Sequence, residues 1–422
     1  MENHVAIELE AMVMKAQPLF TAQSCCIYKV PHEVRQLNED AYTPVLVSIG
    51  PLHHGNPRLV TMEAHKQFCC QQLIQKSEAS LSDLVSCVQE LEPQIRACYS
   101  EKIELTVDEF VKVIFIDYCF VIEFVFNYET MLSFQSDSIF SKPWVVKRVM
   151  YDLILLENQV PFFVLEKLYN LALLARNRHF PSFTNFVVSK FSFQNEQSVL
   201  PPPDTNSIAH FTDLLRYLYL PPFHTRPSRY RRGQLGFGHG GLLVVLGHGA
   251  SEFVEAGVKF TVNESRQGCI IDLKYEYGIL KIPHILLLED WTEISLRNIL
   301  ALEHCHYPQE HYVFDYVDFI SQLINTGKDV DTLVENGIFN NQLGDNKNVA
   351  EFFRGLKRNI VVTSYNATYF HISQELDAYY RNPLHKNLAA MKRWKGAVSI
   401  GGIVLLILTI IQTVFTILQV VL

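Results

Sequence analysis

Two adjacent histidines are the first residues in this chain whose type and spacing suggest chemistry. His53 and His54 sit in Gly50-Pro-Leu-His-His-Gly55, a turn bracketed by breakers. Neighbouring imidazoles could bind a metal or shuttle protons. No carboxylate or cysteine stands at ligand spacing, however, and a turn held by imidazole hydrogen bonds accounts for the same residues. Glu303-His-Cys-His306 offers Cys and His donors, but adjacent residues on a helix point in different directions. It reads as a helix C-terminus, where histidine complements the dipole. Gly236-Phe-Gly-His-Gly-Gly241 satisfies G-x-G-x-x-G. A dinucleotide fold needs a strand before the first glycine, and here an arginine-rich loop precedes it. No Gly-x-Ser-x-Gly elbow, Walker A loop or H-E-x-x-H is present. The sequence therefore predicts no catalytic residue, no cofactor and no metal site.

Four polar residues look better employed in structure. Asp117 falls on an apolar stripe with Phe110, Val113, Ile114, Val121 and Phe124, where a lone carboxylate is expensive unless paired or hydrogen-bonded. Glu157, Asn158 and Gln159 crowd the break before Pro161, where they could tie down the open amides of the next helix. An acid/base site is the alternative reading of the same residues. The basic cluster Arg226, Arg229, Arg231 and Arg232 is expected to be a solvated loop, or else a contact for anionic lipid or an acidic partner.

The elements that must position these residues are mostly helices. Thr106-Val-Asp-Glu109 is a capping box opening a long amphipathic helix. Met62 to Tyr99 suggests one or two solvent-facing helices, divided at Pro93. Further helical spacing covers Trp144 to Leu156, the run after Pro161, Ile208 to Leu220, Trp291 to His304, His311 to Asn325 and Val330 to Asn336. Asn346 to Leu356 follows a candidate cap at Asp345. Short alternating runs within about 258–288, separated by Gly268 and Gly278, read as a small antiparallel β meander. Residues from about 201 to 250 form a Pro-, Arg- and Gly-rich insertion with loop chemistry, long enough to be functional or disordered.

Composition sets the outer limits. With 422 residues, 48% hydrophobic and 19% charged, the chain can bury a large core. A formal charge of −8 and the absence of zinc-finger, helix-turn-helix or RNA-binding signatures argue against nucleic acid as a partner. Nine cysteines without a C-x-x-C pair suggest buried thiols. Residues 396–422 carry no charge and are mostly Val, Ile, Leu and Phe, which predicts one C-terminal transmembrane helix embedded in the lipid bilayer. Lys386, Lys392, Arg393 and Lys395 before it place the body in the cytosol. Together these expectations give a 1–26 extension, a mainly α body over 27–395, and a single-pass membrane protein, at the plasma membrane rather than the endoplasmic reticulum.

Several long segments carry a resemblance. IYKVPHEVRQLNEDAYTPVLVSIGPLHHG from Ile27, MEAHK from Met62, YDLILLENQVPFFVLEKLY from Tyr151 and EAGVKF from Glu255 resemble the plant "domain of unknown function 247" family. TEISLRNILALEHC from Thr292 and LINTGKDVDTLVENGIFNNQLGDNKNVAEFF from Leu323 extend the match over nearly the whole chain. The Gly-rich stretch before EAGVKF departs from the family pattern. The resemblance implies a C-terminal membrane span and no established enzymatic activity, and some grass members are implicated as male determinants of self-incompatibility. The expected function is thus a tail-anchored, non-enzymatic recognition or signalling component with a protein partner. A membrane-tethered hydrolase or transferase and a structural scaffold are the alternatives.

Overall fold

The computed structural model describes residues 4–15, 24–132, 139–174, 182–191, 208–221, 226–231, 246–263, 269, 271–283, 285–288, 290–342, 344–389, 391 and, within the last twenty-one residues, 402, 404–405 and 407–413. The chain divides into two compact units. One comprises Met1–Leu220, Asp290–Val313 and Arg358–Val361, and the other Pro221–Glu289, Phe314–Lys357 and Val362–Leu422.

The first unit is helical. Its centre is the helix Val107–Leu132, opened by the Thr106 hydroxyl accepting from the Glu109 amide at 3.3 Å while the Glu109 carboxylate accepts from the Thr106 amide at 2.9 Å. The helices Thr61–Lys76 and Leu81–Arg96 pack on it, and both bury stripes at helical spacing. The break between those two is at Ser77–Ser80, where Ser80 and Asp83 form a capping box, and not at Pro93. Pro93 lies near the end of the second helix, so its missing N–H removes a bond only in the final turns. The helix Pro143–Leu153, the helix Phe162–Tyr169 capped by Pro161, Phe211–Tyr219 and Asp290–His306 complete the unit's core. A cluster of Val30, Val34, Ala41, Tyr42, Leu156, Ala301 and Leu302 joins three distant stretches of sequence.

The second unit mixes helices with small sheets. Helices Ala250–Ala256, Gly327–Glu335, Asn346–Leu356 and Ala367–Arg381 belong to it, with most of Tyr312–Leu323. Asp345 caps its helix by accepting from the Lys347 amide at 3.1 Å. The strands do not form an antiparallel meander. Ile279–Ile282 lies in the middle of three, antiparallel to Lys274–Glu276 but parallel to Lys259–Val262. Ile285–Leu288 leaves that sheet and pairs in parallel with Phe339–Asn341, while Arg229–Arg231 pairs antiparallel with Ser364–Asn366. Alternation of side chains marks a strand but says nothing of its pairing direction. Pro283, lacking an N–H, separates the two strands that the sequence runs together.

The tail requires a second correction. Among the described residues no helix is long and apolar enough to cross a membrane. The described helical residues near the C-terminus fall within 402–413. The rest of 396–422 lies outside the described residues. An uncharged apolar run specifies hydropathy, not a continuous helix of spanning length. The described residues therefore do not support the expected transmembrane helix, the single-pass localisation or the orientation drawn from it.

The hairpin between Lys274–Glu276 and Ile279–Ile282 turns on Tyr277 and Gly278, with φ of 52° and 79°, the pair of positive values that a two-residue turn of matching twist needs. A Cβ on Gly278 would stand 2.8 Å from the Tyr379 ring. Gly278→Ala is therefore expected to destabilise the second unit by about 1–2 kcal/mol from the left-handed backbone, with a further loss from displaced Tyr379. Denaturant unfolding followed by tyrosine fluorescence measures both.

Candidate functional site

Residues 45–50 enter the first unit from an exposed Val45 and are buried from Val47 to Gly50, without a helix and without a partner strand among the described residues. Their amides must still be satisfied, and side chains do it. Asp152 accepts from the amides of Val45, Leu46 and Val47 at 3.1, 2.7 and 2.9 Å. Asn158 accepts from Ile49 at 2.7 Å and donates to the carbonyls of Val47 and Asp152. Asp117 accepts from Gly50 at 2.8 Å. Gly50 has φ of 75°, and a Cβ there would meet the Gln159 carbonyl at 2.4 Å, so that only glycine lets the segment approach so closely. Gln159 itself accepts from the Phe211 amide and donates to the carbonyls of Leu153 and Leu155.

Asp117 is fully buried and its second oxygen lies 2.6 Å from the ammonium of Lys66, equally buried. Burial acts to lower the Lys66 pKa, but Asp117 and Glu63 outweigh it and hold the ammonium above its ordinary value. Lys66 also donates to the Ser48 carbonyl at 3.0 Å. This lysine was legible in principle: it stands on one stripe with Met62, Cys69, Cys70 and Leu73, a lysine on an apolar face.

Glu157 has a different setting. One carboxylate oxygen accepts from the Val30 amide at 2.9 Å and from Arg35 at 3.2 Å, and the other lies 3.3 Å from His53 Nε2 at ion-pair distance without hydrogen-bond alignment. The carboxylate absent from local sequence spacing is thus supplied from more than a hundred residues away. Arg35 also donates to the Thr43 hydroxyl at 2.7 Å. These three side chains sit at a cleft of about 580 Å³, whose walls include Leu52, Ile103 and Leu105, with Lys29 and Lys102 among the charged residues. Glu157 is 2% exposed, whereas Arg35 and His53 are 19% and 13% exposed. The acid is therefore a fixed acceptor that holds an arginine, with an imidazole beside it, where a ligand can reach them. Among the described residues no three His, Cys, Asp or Glu side chains converge as metal ligands.

The remaining candidates lie elsewhere. His54 is exposed beside His53. Glu303 is buried on its helix, accepting from Arg216 Nε at 3.0 Å and from the Val313 amide at 3.1 Å. His306 exchanges a hydrogen bond with Tyr28 at 3.0 Å. In the second unit Arg229 pairs with Asp315 at 2.7 Å and donates to Ser364, Arg226 donates to the Pro221 carbonyl, and Arg231 is in the strand next to Ser364. Arg232 and Gly236 to Gly241 lie outside the described residues.

The family described as "Plant protein of unknown function", DUF247, matches residues 27–410. The chain belongs to this family. Two relatives of this DUF247 chain come from Arabidopsis thaliana. UPF0481 protein At3g47200 is 29% identical over 388 residues, which cover 88% of this chain and 78% of the relative. Putative UPF0481 protein At3g02645 is 33% identical over 142 residues, 33% of this chain and 26% of the relative. No solved structure matches.

Two predictions follow from the buried polar groups of this DUF247 chain. Asp117→Ala leaves the buried Lys66 ammonium with only the partly exposed Glu63, at 2.7 Å, as its counter-charge; losing the buried partner should cost up to roughly 3 kcal/mol, at or below the low end for a broken buried pair, a loss that chemical denaturation of the full chain measures and that the double variant Asp117→Ala/Lys66→Met should reduce. The second concerns His210, which accepts from the Asp213 amide through Nδ1 and donates from Nε2 to the Cys26 carbonyl at 2.9 Å. Burial lowers its pKa to about 4, against the opposing pull of Asp213. The unfolded chain takes up a proton near 6.5 and the folded chain only near 4, so this stabilisation is complete above about 6.5 and disappears as the pH falls towards 4. A shift of that size is worth about 3 kcal/mol. His210→Gln should flatten the stability profile over that interval in a pH series of thermal melts.

Proposed function

We propose that this chain is a non-enzymatic recognition component that binds a partner polypeptide in the cleft beside Arg35, His53 and Glu157. The observation that carries the reading is the construction of that cleft. At about 580 Å³ it falls in the usual size range for ligand sites, and its lining is preset by the bonds that Glu157 accepts from the Val30 amide and from Arg35. Preset donors lower the ordering penalty of binding. The buried carboxylates of Asp117, Asp152, Glu157 and Glu303 each accept from at least one backbone amide. An acid so committed serves as an anchor, whereas a general base needs a free lone pair within reach of a substrate proton. Recognition of the self/non-self kind, which the family resemblance brings in, would require such a site with a selective lining.

Leu52 and Lys29 line the cleft and are accessible. Leu52→Arg and Lys29→Glu chains, compared with wild type and with Lys112→Glu on the exposed face of the Val107–Leu132 helix, test the reading by affinity capture from native tissue. Proteins held by wild type and the Lys112 variant should fall at least tenfold with either cleft variant. Equal capture by all four chains sinks the proposal.

A further inference from the structure

We infer that the cleft takes its ligand by strand addition: residues Lys102–Glu104 present a free backbone edge on which an extended peptide segment docks. This deepens the reading above and rests on it.

Glu101 to Leu105 contribute five consecutive residues to the cleft lining. The segment leaves the isolated parallel bridge between Ile27 and Tyr99, with the Ser100 amide donating to the Ile27 carbonyl at 2.9 Å, and ends at the cap of the Val107–Leu132 helix. Arg96 holds it from one side. Its guanidinium donates to the carbonyls of Ile103 and Leu105 at 2.8 and 3.2 Å. One planar fork reaches carbonyls two residues apart on the same side, the period of an extended chain, over the short stretch Lys102–Glu104 between bends at Glu101 and Leu105. The N–H and C=O groups of Lys102 and Glu104 then face the opposite edge. Among the described residues the amides of Glu101 to Leu105 donate no hydrogen bond, and the carbonyls of Lys102 and Glu104 accept none. The edge thus offers two donors and two acceptors in the register of a β ladder.

The lining chemistry selects the occupant. Lys29, Arg35 and Lys102 are balanced by Glu101, Glu104 and Glu157. Lys102 pairs with Glu104 at 2.9 Å and Arg35 with Glu157 at 3.2 Å. So balanced a set gives no field for a polyanion, whose binding depends on uncompensated cations. A peptide backbone, neutral and rich in paired donors and acceptors, fits the edge. Leu52, Ile103 and Leu105 offer apolar contact to alternate side chains of the added strand, the division of labour by which strand addition combines affinity with selectivity. The edge is also rigid, since Arg96 is held by Glu92 at 2.6 Å and lies 4.3 Å from the centre of the Phe110 ring.

The probe is a decapeptide selected from a random displayed library on the full chain and then synthesised. N-methylation of its amides one at a time should weaken binding at least tenfold at alternate positions and little at those between. Hydrogen exchange of the Lys102 and Glu104 amides should slow on binding. Glu104→Pro, which removes the edge N–H, should weaken binding tenfold, while Glu104→Ala retains it; the N-methyl series decides the matter independently should the proline variant misfold. A peptide indifferent to N-methylation that nevertheless fails to bind the Leu52→Arg chain overturns strand addition and leaves the cleft reading standing. A peptide bound equally by the Leu52→Arg chain, or a library yielding no binder, overturns both.

Discussion

The first unit is organised around one requirement: the chain is buried from Val47 to Gly50 without a neighbouring strand among the described residues, and its amides need acceptors. Asp152, Asn158 and Asp117 supply them. An unpaired buried amide costs on the order of 1–3 kcal/mol, so losing the acceptors of Val47, Ile49 and Gly50 together would cost a large share of the roughly 5–15 kcal/mol that stabilises a domain. The three acceptors come from two elements, the long Val107–Leu132 helix and the stretch that follows Tyr151. Those elements can approach only in the geometry that meets the segment. Gly50, which must admit the Gln159 carbonyl, marks the tightest point of that approach.

The same logic explains why so many charges lie inside. Lys66 with Asp117, Arg216 with Glu303, and Arg35 with Glu157 are buried or nearly so. Against well-packed apolar residues such pairs add little net stability. Their effect is directional: a slipped helix or a shifted loop leaves a charge without its partner, and that arrangement is heavily penalised. Arg216 stacks over Tyr307 at 3.8 Å while bonding Glu303 and the Glu310 carbonyl, which fixes the helix Phe211–Tyr219 against Asp290–His306 in both translation and rotation.

Local signals were legible where the chemistry is local. The Thr106–Glu109 capping box and the Asp345 cap both start helices where their side chains say they should, and a carboxylate on an apolar stripe, Asp117, lies against a buried cation. What the sequence concealed depends on partners far along the chain. Glu157 reaches His53 and Val30 across more than a hundred residues, and no spacing rule carries that information. Strand pairing failed for a related reason, because alternation in Lys259–Val262 is the same whichever way its neighbour runs. Pro93 misled because its effect depends on its place in the helix.

Asn298 gives the arrangement a direction in time. Its side chain accepts from the Leu156 amide at 2.8 Å, 142 residues earlier, and donates to the Ala41 carbonyl at 2.8 Å. At about 5–20 residues per second, the ribosome takes on the order of ten seconds to bring Asn298 out after Leu156. Throughout that interval the Leu156 amide and the Ala41 carbonyl, both buried in the finished fold, await a side chain not yet made, and Arg216 awaits Glu303 in the same way. The nascent chain must therefore remain loosely closed, with its polar groups still hydrated, until the Asp290–His306 helix arrives to lock it.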